Sequence, residues 1–333
     1  MAYDIWNRRY TGSKYKLADW IFEIIDKNCD GETFCDIFAG TGVISQHAIS
    51  KMKAVIINDF LFSNEIIYKA FFLQEKFDSN KINKYKGFFT TYNIKDIKEN
   101  YISKNYGDKF FSFNDSLIIG EIRETIEKAK DLNEKERAIL LASLLYSVDK
   151  IANTVGHYEA YIKGKKIQDR FKFDLIKPYI TKTKIDIYRE DANVLAKKIK
   201  SDIVYIDPPY SSRQYSRFYH VLENLTTWKK PKLYGTALKP IPENMSEYCK
   251  NSAEKTFSAL INDLDCKYIV VSYNNTYNSK SSSSKNKMTI ENIKKILSSK
   301  GKLTCFEKPY QFFNAGKTEL ADHKEFVFLV EVK

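Results

Sequence analysis

Histidine and cysteine are scarce in this chain of 333 residues, and their placement excludes more than their number does. The four histidines, His47, His157, His220 and His323, form no His-x-x-x-His array, so no zinc site is expected. The five cysteines, Cys29, Cys35, Cys249, Cys266 and Cys305, are odd in number and scattered, with no pair at metal-ligand or redox spacing. That excludes a disulfide framework and reads as reduced thiols in a cytosol. Long apolar runs are missing too. The longest, Ala138 to Val148, is too short to span a bilayer, and Met1-Ala2-Tyr3-Asp4-Ile5-Trp6 lacks the apolar core of a signal peptide. No internal repeat is visible. The expectation is a soluble, cytoplasmic protein with one large or two modest domains.

Acidic residues are outnumbered: 42 Asp and Glu stand against 54 Lys and Arg, a formal net charge of +12. A basic surface favours a polyanionic partner, although a merely soluble basic protein has the same balance.

What is present centres on Asp207-Pro208-Pro209-Tyr210, directly after the apolar run Asp202-Ile203-Val204-Tyr205-Ile206. That run reads as a buried parallel strand, which puts the tetrapeptide at a carboxyl end, where open α/β sheets hold their ligands. Asp207 offers a carboxylate, and Pro209 keeps the Pro208 carbonyl out of a regular ladder. Two adjacent acceptors suit a planar amine with two N–H groups. Tyr210 offers a flat face for a base, with its hydroxyl expected at the wet edge. A rigid turn after a strand is the plainer alternative.

Upstream, Tyr10-Thr11-Gly12-Ser13-Lys14 is a small-residue turn before a helix with Leu17, Trp20, Ile21, Ile24 and Ile25 on one face. Such a turn can hold a carboxylate or phosphate, or simply cap the helix. Then come a strand and a glycine turn, Thr33-Phe34-Cys35-Asp36-Ile37-Phe38-Ala39-Gly40-Thr41-Gly42, a helix from about Val43 to Ser50, and a second strand, Ala54 to Asn58, ending at Asp59. Asp59 lies 17 positions past Gly42, close to the usual separation of about 20 for a ribose-binding acid. Strand, glycine turn, helix, strand and acid make a nucleoside-binding unit. Ser45 stands where a dinucleotide fingerprint has its third glycine, which disfavours NAD or FAD and suits a cofactor without a pyrophosphate.

A helix is expected over 64–76. Residues 77 to about 133 are rich in Lys, Asn, Phe and Tyr without a steady period and read as an insertion, followed by a helical segment from Asn133 to about Val155. Between 163 and 184, Lys163, Lys165, Lys166, Arg170, Lys172, Lys177, Lys182 and Lys184 face only Asp169 and Asp174, a density that suits phosphate contacts or a solvated basic face. The sheet resumes at 184–191. Asp191 either accepts from a cofactor adenine amine or caps the next helix. Arg213, in the loop after Tyr210, reaches a phosphate or base edge or is an ordinary surface arginine. Residues 219–228 read as a helix closing the pocket, 268–274 as a buried strand, 278–287 as a flexible loop, 289–297 as a helix, and 303–313 with 325–332 as a terminal strand pair.

In that order, Tyr10 to Lys14, Asp36 to Gly42, Asn58-Asp59 and Asp207 to Tyr210 resemble the alpha group of adenine-specific DNA methyltransferases, the Dam-like family. Ser212-Arg213-Gln214-Tyr215 and Tyr219-His220 are similar to its branch containing the FokI and NlaIII restriction-modification methylases. The resemblance covers most of the chain apart from the insertion. It implies a Rossmann-like α/β methyltransferase fold, with a mostly parallel seven-stranded sheet carrying a C-terminal antiparallel strand. Residues 1–76 and 184–333 would form the catalytic domain, and 77–183 an inserted, largely helical target-recognition region. It also implies S-adenosylmethionine without a metal, held by Tyr10, Lys14, Asp36, Phe38, Gly40, Gly42, Asp59, Asp191 and Asp207. Tyr10 and Lys14 would sit near the methionine end, Asp59 on the ribose and Asp191 near the adenine. Dam-type enzymes have Trp where this chain has Tyr10.

The catalytic residues would be Asp207, Pro208 and Tyr210, acting on an adenine flipped from double-stranded DNA, with no cysteine nucleophile. Lys163, Lys165, Lys166, Arg170 and Arg213 are the candidate DNA contacts. For a methylase of a restriction-modification system, a separately acting cognate endonuclease is the further partner. Two other readings stay open: an RNA or cytosine-amine methyltransferase, and a non-catalytic nucleic-acid-binding protein.

Overall fold

The computed structural model describes residues 2–164, 166–275, 286–310 and 323–333. The chain divides into two compact units. One consists of Gly12–Phe60, Lys182–Tyr215 and Asn244–Lys333, the other of Met1–Thr11, Leu61–Thr181 and Ser216–Glu243.

The first unit holds the sheet. Its strands are β1 (Thr33–Asp36), β2 (Ala54–Asn58), β3 (Lys184–Tyr188), β4 (Ile203–Ile206), β5 (Tyr268–Asn274), β6 (Gly301–Pro309) and β7 (Lys324–Val332). They lie in the order β3-β2-β1-β4-β5-β7-β6. The pairs from β3 to β5 are parallel, with Cys35 opposite both Ile56 and Val204, and Val204 opposite Ile269. Strand β7 is antiparallel to both neighbours. The sheet is therefore seven-stranded, mostly parallel, with one reversed strand near the C-terminus. Every residue of β4 is buried, as its unbroken apolar run requires of a strand covered on both faces. Helices α1 (Ala18–Asn28), α2 (Val43–Ile49), α8 (Ala192–Ala196), α11 (Ala253–Asp263) and α12 (Ile290–Lys300) belong to this unit. Phe257, Leu260, Ile261, Ile293 and Leu297 join Cys35, Val204, Ile269, Val271 and Phe328 in one core.

The amino edge of the sheet is tied by one carboxylate. Asp202 Oδ2 accepts from the N–H groups of Glu32 and Thr33 at 2.9 and 3.1 Å and from the Thr33 hydroxyl at 2.9 Å. Lys267 Nζ stands 2.8 Å from Oδ1. The bond from Lys267, with those from Glu32 and Thr33, holds the Asp202 carboxyl well below the usual range. Gly31 is required here: a Cβ would come within 2.7 Å of Asp202 Cβ.

The second unit is helical: α3 (Phe62–Phe72), α4 (Ser79–Thr90), α5 (Tyr101–Tyr106), α6 (Phe113–Lys128), α7 (Glu134–Ile151) and α10 (His220–Thr227), while the single turn α9 (Tyr215–Phe218) falls at the division. Local signals place several starts. Asp78 and Ser112 cap α4 and α6, and Asn133 with Glu136 forms a capping box on α7. Helix α3 starts two residues before the expected 64 because the Glu223 carboxylate, distant in sequence, accepts from Phe62 N–H at 3.1 Å and Ser63 N–H at 2.8 Å. It stops at Phe72, short of the expected 76. The region from 77 to 133 showed no steady period because it is divided among separate helices, α4, α5 and α6, with turns between them. Its aromatics Phe89, Tyr106, Phe110 and Phe111 are buried and form core. Strand β6 spans 301–309 instead of starting at 303. Residues 311–313 of the expected strand and 278–285 of the expected loop lie outside the described residues.

Candidate active site

The strand order reverses between β1 and β4, and the segments leaving the carboxyl ends of β1, β2 and β4 are joined there. Ala39 N–H donates to the Asn58 carbonyl at 2.8 Å, and Ile37 N–H to the Tyr205 carbonyl at 3.2 Å. Gly40 and Gly42 have φ of +53° and +80°, values that favour glycine, and Gly42 opens α2. Gly40 N–H donates to Asp59 Oδ2 at 2.9 Å, so the acid ending β2 also fixes the turn after β1.

Asp36, last residue of β1, is buried. Its Oδ2 accepts from the Ser45 hydroxyl at 2.7 Å, while Oδ1 has no hydrogen-bond partner among the described residues. Burial, reinforced by the charges of Asp207 and Asp59 and opposed by the bond from Ser45, pushes its carboxyl up to about 7. Ser45, the residue that breaks the dinucleotide fingerprint, is thus a partner of the strand-end acid. Phe38 packs edge-on against Tyr248 at 5.0 Å, and the Tyr248 hydroxyl donates to Asn193 Oδ1 at 2.8 Å. Asp191 caps α8: its Oδ1 accepts from the N–H groups of Asn193 and Val194 at 2.9 and 3.3 Å.

At the end of β4, Asp207, Lys14, Tyr210 and Glu325 form one cluster. Lys14 Nζ lies 3.1 Å from Asp207 Oδ1, 3.0 Å from Glu325 Oε1 and 2.6 Å from the Tyr210 hydroxyl. Those contacts use all three donors of an ammonium. Burial alone would lower the Lys14 pKa, but the two carboxylates outweigh it and raise it. Burial pushes Asp207 above the ordinary carboxylate range against the opposing effects of Lys14 and the Tyr210 hydroxyl, and Glu325 is raised for the same first reason. The Tyr210 hydroxyl donates to Asp207 Oδ1 and lies 3.4 Å from both Glu325 Oε1 and the Ser272 carbonyl.

Two expectations are corrected by this cluster. The Tyr210 hydroxyl is not at a wet edge, because Asp207 and Lys14 draw it into the protein, while Tyr273 packs edge-on at 4.5 Å from its ring. The turn ending at Lys14 does not lead directly into the helix: α1 begins at Ala18, after a further turn in which Leu17 N–H donates to the Lys14 carbonyl, and the Lys14 ammonium turns inward to the carboxylates of Asp207 and Glu325.

Glu325 escaped the sequence reading. Its signal was its phase: Glu325 shares a strand face with Val327 and Leu329, so an acid there is carried into the core.

The other candidates fall as follows. Arg213 is half-buried, and its carbonyl accepts from Cys249 Sγ at 3.3 Å. In the helical unit, Tyr10 stacks on Tyr219 at 5.0 Å and 5°, with the Arg8 guanidinium 4.7 Å from its ring centre. Lys163, Lys166 and Arg170 are exposed there. Arg170 N–H donates to Asp115 Oδ2 at 2.9 Å and its guanidinium to the Ile151 carbonyl at 3.2 Å. Lys165 lies outside the described residues. Among the described residues no group of three His, Cys, Asp or Glu is placed to hold a metal ion, and no helix is long and apolar enough to cross a membrane.

Residues 10–290 match the family model of the D12 class N6 adenine-specific DNA methyltransferases. The chain is 31% identical to the type II methyltransferase M.NlaIII of Neisseria lactamica, with 95% of each chain covered. It is 32% identical to the type II methyltransferase M.CviAII of Paramecium bursaria Chlorella virus 1, over 97% of this chain and 98% of that one. Against the type II methyltransferase M.FokI of Planomicrobium okeanokoites it is 31% identical over 97% of its own length, but it spans only 52% of that larger protein.

Proposed function

The chain belongs to the D12 class of N6 adenine-specific DNA methyltransferases, and from that premise we propose that it transfers the methyl group of S-adenosylmethionine to the exocyclic amine of an adenine flipped out of double-stranded DNA at a short recognition sequence. The observation that carries this reading is the meeting of Asp207, Pro208 and Tyr210 with the Gly40 to Gly42 turn, Asp36 and Asp59 at one edge of one sheet.

The residues fit a cationic donor. Asp36 Oδ1 is a buried acceptor without a partner among the described residues, three carboxylates converge, and the left-handed glycines let a ligand approach the backbone. We assign Asp36, Phe38, Gly40, Gly42, Asp59, Asp191 and Asp207 to its binding, with Tyr10 as a further candidate. Asp191, capping α8 through Oδ1, has Oδ2 with which to accept from the adenine amine. S-adenosylmethionine, when bound, supplies a methyl group on an electrophilic sulfonium.

Asp207 and the Pro208 carbonyl accept the two N–H bonds of the target amine and pull its nitrogen toward tetrahedral geometry, which frees the lone pair for attack. The Tyr210 ring, anchored through its hydroxyl, stacks on the purine. As positive charge develops on the amine nitrogen, the Asp207 carboxylate stabilises it; the N–C bond forms as the S–C bond breaks, and the nitrogen then releases one of its two protons to solvent. Residues 77–183 are assigned to target recognition, with Lys163, Lys166, Arg170 and Arg213 on the DNA. By analogy with its relatives, the protein would work in the cytoplasm as the modification arm of a restriction-modification system.

The test is expression in a host without adenine methylation, followed by digestion of its DNA to nucleosides and mass spectrometry. N6-methyladenine should appear, and Asp207→Ala should abolish it while S-adenosylmethionine binding survives in calorimetry. Methylcytosine, methylation of RNA alone, or an unmodified digest would overturn the proposal.

A further inference from the structure

Glu325 reaches the site through topology. Strand β7 runs opposite to β5, with Glu325 opposite Asn274 at the carboxyl end of β5, so the first turn of the reversed strand lies at the same edge as the ends of β4 and β5. Its side chain is 3% exposed. The cluster it completes holds two carboxylates and one ammonium, a formal charge of −1. Without Glu325 the sum is zero, and Lys14 has only Asp207 to neutralise.

We propose that Glu325 is a positioning residue for methyl transfer: by sharing the Lys14 ammonium it leaves the Asp207 carboxylate negative enough to accept the N–H of the target amine. This rests on the methyl-transfer reading above. Methyl transfer moves positive charge from sulfur to the amine nitrogen, so a neutralised Asp207 loses the interaction that strengthens during the reaction. Lys14 and the Tyr210 hydroxyl already converge on Asp207 Oδ1, and an ammonium drawn wholly onto it withdraws charge from the carboxylate that the substrate amine must meet. The remaining titratable groups around the cluster are Asp36 on β1, Tyr205 on β4, and Tyr310 and His323 flanking β6 and β7. None supplies a second carboxylate to Lys14, whose partners are Asp207 and Glu325.

The test compares wild type with Glu325→Gln and Glu325→Asp, using tritiated S-adenosylmethionine and phage DNA grown without adenine methylation. Glu325→Gln should lower kcat at least about tenfold with the KM for DNA and the cofactor Kd within about twofold. The acid limb of its kcat profile should move to lower pH, because removing an anion and giving Lys14 wholly to Asp207 both lower the Asp207 pKa. Glu325→Asp should recover part of the rate. Independently of turnover, the Lys14 Nζ resonance in lysine-labelled protein, assigned by its loss in Lys14→Arg, should titrate at lower pH in Glu325→Gln. An unchanged Lys14 titration, an unmoved acid limb, or a rate within twofold of wild type overturns the inference. Inactive wild type on every DNA sequence refutes the methyl-transfer reading instead, and the Lys14 titration still judges the charge sharing.

Discussion

Replacing Lys14 with methionine keeps the length and apolar stem of the side chain and removes the ammonium. The variant then leaves the half-buried Asp207 and the buried Glu325 without the cation that now stands 3.1 and 3.0 Å from them. Removing one partner of a buried ionic cluster costs roughly 3 to 5 kcal/mol, most of it the burden of the stranded charges. In a chain of 333 residues that corresponds to a melting temperature lower by about 4 to 7 °C near pH 8. The pH dependence separates this cause from simple loss of packing. In the wild type the folded Lys14 pKa is raised, so its contribution is fully present below the ordinary lysine value and is lost only as pH rises through the folded value. In the variant, burial favours the neutral carboxyls, whose folded pKa values lie above their unfolded ones, so the variant takes up protons on folding and regains stability as pH falls. The gap between the proteins should therefore narrow from pH 8 to pH 5.5. Melting without cofactor, followed by circular dichroism across that range, measures it. A gap under about 1 °C at pH 8, or one that widens on acidification, would refute the reasoning.

Asp36 predicts a pH-dependent cofactor affinity. With its carboxyl pushed up to about 7, the site is partly protonated below neutrality, so affinity for cationic S-adenosylmethionine should rise from pH 6 to 8 and protons should be released on binding below pH 7. Calorimetry in buffers of different ionisation heat reads both, and Asp36→Asn should remove the slope. Asp202→Ala should cost about 2 kcal/mol in urea unfolding at neutral pH by orphaning the Glu32 and Thr33 donors, with the half-exposed ion pair to Lys267 adding little, and should leave kcat unchanged. Because the folded Asp202 pKa is depressed, that difference should hold above the unfolded carboxyl value and fade as pH falls below it. For Lys163→Ala/Lys166→Ala, the slope of log affinity against log salt on non-specific duplex should fall by about 2, and an unchanged slope would place those lysines off the DNA.

The parts of the site that could be read directly are those whose chemistry is local in sequence. Strand β4 and the tetrapeptide after it are contiguous, as are β1 and its glycine turn, and each carries its own conformational constraint in proline or left-handed glycine. The helix caps at Asp78, Ser112 and Asn133 are local in the same sense. What could not be read depends on partners distant along the chain. Helix α3 starts where Glu223 reaches it, and the Tyr210 hydroxyl turns inward because Lys14, nearly two hundred residues earlier, arrives beside it. Phe89, Tyr106, Phe110 and Phe111 of the 77–133 region follow no single period because they are core residues drawn from separate helices and the turns between them.

Glu325 shows why topology had to be known first. In a parallel sheet every strand presents its last residue to the crevice, so a search for site residues naturally looks at strand ends. A reversed strand presents its first residue instead. A C-terminal antiparallel strand is expected, but the acid in Lys324-Glu325-Phe326-Val327 reads as the charged start of an apolar strand until β7 is placed between β5 and β6. Once it is, the side chain has two options: burial alone, which a carboxylate resists strongly, or burial against a cation. Lys14 supplies the cation, and Lys14 in turn can be buried only because Asp207 and Glu325 together outweigh its loss of water. Each member of the cluster is thus a condition for burying the others, which ties Lys14 to the ends of β4 and β7 through its two carboxylate partners.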